Sequence, residues 1–175
     1  MVRSRLVTRL DRVLARAATA RPAADSARWH AFEHRVRVGS GPATFAEARA
    51  EVLAWRMQRA AGIVVHPADA VPVAGATIVL ALPIGPTWIT APCRVTDVVD
   101  EPGRAGFTYA ALPGHPEEGV ETFLVETDTD GTVWFTVAAS SRPAAWYARL
   151  GAPVARLIQR RTTRTYLAAI GGNDR

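Results

Sequence analysis

The apolar positions of this 175-residue chain change period twice, and each change marks a change of element. Val2, Leu6, Leu10, Val13, Leu14 and Ala17 recur at helical spacing with arginines mostly opposite, which predicts an amphipathic helix over residues 2–18. The small residues and Pro22 between Arg21 and Ser26 read as its linker, so residues 1–26 form a helical arm and 27–175 a single domain. His34 to Val38 alternates polar and apolar residues and stops at Gly39-Ser40-Gly41-Pro42, the pattern of a short strand and a turn. Thr44 with Glu47 three residues on predicts a capping box. The helix it opens packs through Phe45, Val52 and Trp55 and closes at Gly62.

From Thr77 the period becomes two. Runs at 77–82, 88–99 and 106–112 predict three strands, with Pro92 expected to mark an edge or a bulge in the second. Residues 120–126 and 132–139 predict a hairpin across Asp128-Thr129-Asp130-Gly131. After Ser140-Ser141-Arg142-Pro143 the helical period returns. Trp146, Leu150, Val154, Leu157, Ile158, Tyr166 and Ile170 keep one apolar face, bent once near Gly151 and Pro153. This order of elements predicts an α+β fold in which a curved antiparallel sheet grips a long C-terminal helix. A gap between sheet and helix that side chains leave unfilled becomes an apolar pocket.

Composition narrows the class. With 49% hydrophobic residues the chain can build a sizeable core, and no apolar run reaches the ~20 residues of a membrane-spanning helix. One cysteine, Cys93, excludes an internal disulfide and fits no zinc spacing, so the expected setting is cytoplasmic. The net charge of +5 is carried by arginine alone. Arg3, Arg5, Arg9, Arg12, Arg16 and Arg21 load the N-terminus, Arg149 to Arg164 load the C-terminal segment, and carboxylates crowd the middle. That segregation makes self-association or pairing within the molecule as natural as an external anion, so nucleic acid is not the expected partner, and a membrane surface stays an alternative use of the first helix.

The richest chemistry lies between Gly106 and Glu126. His115, within Leu-Pro-Gly-His-Pro, could exchange protons with Glu117 or Glu121 orienting its ring; the plainer alternative is a rigid loop capped by its own histidine. Glu121 shares a strand face with Phe123 and Val125, so it is a candidate buried carboxylate in need of a partner such as Arg94, Arg142 or Arg160. Cys93 beside Arg94 could be an activated thiol or a small core residue. Tyr109, Phe123, Phe135, Trp146 and Leu150 are the expected cavity lining, with Arg94 and Arg142 as candidate ligand contacts. The histidines show no metal-ligand spacing, so neither a metal nor a cofactor is expected.

Ala91-Pro92-Cys93-Arg94-Val95, Gly106-Phe107-Thr108-Tyr109, Leu112-Pro113-Gly114-His115-Pro116-Glu117 with Gly119, Glu121 and Phe123, Ser141-Arg142-Pro143 and Gln159-Arg160 together resemble a bacterial and plant family. It is the one catalogued as domain of unknown function nineteen-ninety, and the resemblance runs from about Phe45 to Ile170. It implies a START-like or Bet v 1-like helix-grip fold and no particular reaction. Three uses follow as expectations: a holder of a small hydrophobic or amphipathic ligand, an acid–base enzyme using His115 and Glu121, and a surface-association protein using the basic first helix.

Overall fold

Alternation along the central segment resolves into one curved, fully antiparallel sheet. The computed structural model describes residues 2–17, 30–84, 87–143 and 162–170. Its strands are β1 (His30–Ser40), β2 (Val64–His66), β3 (Thr77–Ile84), β4 (Thr87–Glu101), β5 (Arg104–Ala111), β6 (Glu117–Thr127) and β7 (Thr132–Pro143). They lie in the order β1-β7-β6-β5-β4-β3-β2. From β2 to β7 every neighbour in sequence is a neighbour in space, while the long β1 pairs with β7 from the far end. The hairpin between β6 and β7 turns on Gly131 at φ 81, where a side chain would be strained, and the amide of Thr132 donates to Asp130 Oδ1 at 2.9 Å.

The concave face carries the core. Ile78 and Leu80 on β3, Cys93 and Val95 on β4, Phe107 and Tyr109 on β5, Phe123 and Val125 on β6, and Phe135 and Val137 on β7 are all buried in one cluster. Covering them are α2 (Gly41–Leu53), α3 (Arg56–Ala60) and the helical residues 162–170, here α4, whose Tyr166 and Ile170 join the same cluster. Trp146, Leu150 and the expected bend at 151–153 lie outside the described residues.

On the opposite face lies α1 (Val2–Ala17), seated on β3 and β4. Its Leu10 is buried with Val79 and Ala81, and Leu6, Val13, Leu14 and Trp88 close around them. Two polar contacts fix the helix. Arg94 Nη2 donates to the carbonyl of Ala17 at 3.3 Å, placing a cation at the helix C-terminus, and Asp11 meets His66 Nε2 at 2.8 Å. Among the described residues no helix is long and apolar enough to cross a membrane.

Four sequence expectations are displaced. The helix expected at Thr44 begins at Gly41, because Pro42 sets the first turn; Thr44 Oγ1 donates back to the Ser40 carbonyl at 2.9 Å instead of capping. That helix does not run to Gly62, since Trp55 takes a left-handed φ of 58 and splits α2 from α3. Left-handed backbone costs a non-glycine residue on the order of 1–2 kcal/mol. Complete burial of the indole, with ring centroids 4.3 Å from Phe107, offsets the cost. The irregularity in β4 falls at Thr96 and not at Pro92, which sits in register opposite Val79. Ser140 to Pro143 continue β7, paired with β6, beyond the expected strand end at Ala139.

Candidate functional site

The Leu-Pro-Gly-His segment builds a tight turn. The amide of His115 donates to the Leu112 carbonyl at 3.0 Å, Pro113 supplies a fixed φ, and Gly114 at φ 98 takes the position that calls for glycine. A further bond, Leu112 N–H to the Pro92 carbonyl at 3.0 Å, ties the turn to β4. His115 is thereby folded back over the sheet. Its Nδ1 accepts the backbone N–H of Glu117 at 2.9 Å, so the main chain orients the ring and neither candidate carboxylate does. Burial lowers the imidazole pKa to about 4. The ring is neutral near pH 7, and with Nδ1 accepting, its proton sits on Nε2.

One cross-strand pair supplies the other half. The sheet register sets Glu121 on β6 directly opposite Tyr109 on β5, and the Tyr109 hydroxyl donates to Glu121 Oε2. Burial pushes the Glu121 carboxyl up to about 7, a rise that the tyrosine bond opposes and the nearby Glu117 carboxylate assists. The Glu117 side chain accepts from Ser141 Oγ at 2.9 Å. Burial, reinforced by Glu121, likewise drives the thiol of Cys93 well above its usual range. Burial thus favours the neutral thiol, and Arg94 lies on the other face of β4.

His115, Glu117, Glu121 and Tyr109 converge on one cavity of about 190 Å³. Its apolar wall comes from Ile63, Leu80, Leu82, Ile84, Ile89 and Ala91, and α4 closes it with Thr162, Thr163 and Tyr166. A second void of about 40 Å³ lies against the same four residues on the side of Gly119, Ala139 and Ser141. Glu121 and His115 thus share a void.

The other expected site residues fall elsewhere. Phe123 and Phe135 are fully buried and stand outside the cavity lining, with Phe123 tilted against Tyr109 at 5.8 Å between ring centroids. Arg94 and Arg142 project from the convex face: Arg94 donates to Thr77 Oγ1 and to α1, and Arg142 pairs with Glu118 at 2.7 Å. Neither is the partner of Glu121. Trp146, Leu150 and Arg160 lie outside the described residues.

What sequence reasoning missed is the aliphatic wall. Leu80 and Leu82 follow the period-two rule on β3 and could have been assigned to the concave face by it. The same rule separates Arg94 from its neighbours Cys93 and Val95. The Tyr109–Glu121 pair depends on register between strands, which no single-strand pattern states.

This chain belongs to the family described as "Domain of unknown function (DUF1990)", which matches residues 11–169. A UPF0548 protein of Deinococcus radiodurans is 38% identical over 143 residues, covering 76% of this chain and 72% of that one. Among solved structures, Ara h 8.0201 superposes with a TM-score of 0.55 at 15% identity, covering 82% of this chain and 96% of that one. An aromatase/cyclase, Zhui of Streptomyces sp. R1128, gives 0.53 at 16% identity, covering 83% and 93%. At these identities the likeness fixes the fold, the helix-grip arrangement of Bet v 1-like proteins, and leaves the chemistry to the site.

Proposed function

We propose that this protein holds a small, mostly apolar molecule between β3, β4, β5 and α4. The observation that carries the reading is the cavity itself: an aliphatic wall facing a compact polar cluster of Tyr109, Glu121 and His115. Apolar pockets with a few convergent polar groups and perturbed carboxyls are where ligands bind. The volume, about 190 Å³, is below the ~300 Å³ at which drug-sized sites begin, so the occupant is small. Fold likeness supports this only generally, since a common fold hosts many functions.

Native mass spectrometry of the purified protein should reveal an added small mass, and hexanol should raise the melting temperature. Replacing Ala91, which is 3% exposed and lines the cavity, by Phe should abolish both effects in a protein that still folds. Equal responses from Ala91→Phe and the unaltered protein would remove the reading.

A second reading, proton-transfer catalysis, is favoured by one observation: Glu121, near 7, is poised to gain or lose a proton at working pH. His115, near 4, is a hydrogen-bond donor through Nε2 and a weak base, so Glu121 would carry the transfer. The bound molecule should then change mass on incubation with the unaltered protein and not with Glu121→Gln. Turnover that persists in the variant eliminates Glu121 as the acid–base group.

A further inference from the structure

The described lining of the cavity has a sign of charge as well as a shape. Glu117 and Glu121 both face it, and among the described residues no arginine lines it, although the chain as a whole is basic. On the convex face the charges answer one another: Arg142 meets Glu118, and Arg35 meets Asp128 while stacking on Trp134 at 4.5 Å. Glu121 instead has a tyrosine hydroxyl, a neutral donor that does not cancel a charge. A carboxylate set in an apolar wall calls for a cation.

We propose that the occupant of this cavity is a small amine, a compact apolar body ending in one ammonium group that lies between Glu121 and Glu117. The inference rests on the reading of the cavity as a ligand site and specifies what that site selects. The ammonium donates to both carboxylates, the Tyr109 ring and the Tyr166 ring flank it, and the carbon skeleton lies along Leu80, Leu82 and Ile89. Anionic amphiphiles such as fatty acids are rejected, because two carboxylates would face a third across a low-dielectric gap. Size agrees: at ~30 Å³ for each water-sized group, about 190 Å³ takes on the order of six or seven heavy atoms, the size of a six-carbon chain and its nitrogen.

Protonation then regulates the site. Among the described residues, the groups facing Glu121 are Tyr109 from β5, Glu117 from its own strand, His115 from the turn, Cys93 from β4 and Tyr166 from α4. The tyrosines and the thiol, all pushed upward by burial, stay neutral through the physiological range, and His115 stays neutral down to about 4. Below about 7 Glu121 takes up a proton, and amine binding weakens as the pH falls.

Isothermal titration of the full chain with hexylamine, hexanol and hexanoate tests this. Hexylamine should bind about tenfold or more tightly than hexanol at pH 8, and hexanoate should bind worst. The amine preference should shrink between pH 8 and pH 6 and vanish in Glu121→Gln. Equal binding of all three, or a preference for hexanoate, overturns the amine assignment while leaving a ligand site in place. Amine preference that disappears in Arg160→Ala and survives in Glu121→Gln also overturns it. If none of the three binds, the ligand-site reading falls with it.

Discussion

The concave face of the sheet is solid at one end and open at the other. Around Trp55 the rings of Phe107, Phe123 and Tyr109 interlock at centroid distances of 4.3–6.4 Å, and Val52 and Phe135 seal what remains. Around Leu82 and Ile89 the same alternation of inward side chains supplies aliphatic groups, and a cavity is left between them and α4. Both ends obey one pattern and differ in side-chain volume. Aromatic rings fill the first, and the second keeps an unfilled volume.

Four measurements would break or sharpen that contrast. Phe123→Ala, at a fully buried ring in contact with Phe107, Tyr109 and Tyr166, should cost about 3–5 kcal/mol by urea denaturation. A loss below about 2 kcal/mol would mean that this end is not the rigid one.

Next in size is a pair of opposed pH dependences. Glu121 has a folded pKa of about 7 against an ordinary 4.5. Its contribution favours the folded state below 4.5 and is lost as pH rises through 7. His115, at about 4 against 6.5, contributes stability that is present above 6.5 and lost as pH falls through 4. Each is worth on the order of 3 kcal/mol at full extent, so the two largely cancel between pH 4.5 and 6.5. Glu121→Gln should therefore become more stable as pH rises from 4 to 6.5, and His115→Asn less stable from 4.5 to 7. Denaturation midpoints that move in parallel in the two variants would contradict the assignment.

Leu82→Ala, at the open end, should cost only about 1 kcal/mol, because the wall it leaves already borders a void. The smallest effect belongs to the convex face. Arg94→Met should cost about 1 kcal/mol or less and increase amide exchange within α1, with hexanol binding unchanged.

Most of the architecture was legible because period two and period 3.6 are local properties. The alternation through Phe123 and Val125 placed Glu121 on the buried face, and the fold class followed from element order. What failed was nonlocal. The left-handed turn at Trp55 follows from the fit of its ring against Phe107, contributed by a strand some fifty residues away in sequence. The partner of Glu121 among the described residues is Tyr109, which only strand register could name; Arg94 and Arg142 point to the other face, and Arg160 lies outside the described residues. The capping box at Thr44 was misread because Pro42, two residues earlier, starts the helix first.

On β3 the side chains of Val79 and Ala81 lie under α1, while those of Leu80 and Leu82, one position away, border the empty space. β3 is thus a partition one backbone thick, filled on the side under the arm and unfilled on the side under α4.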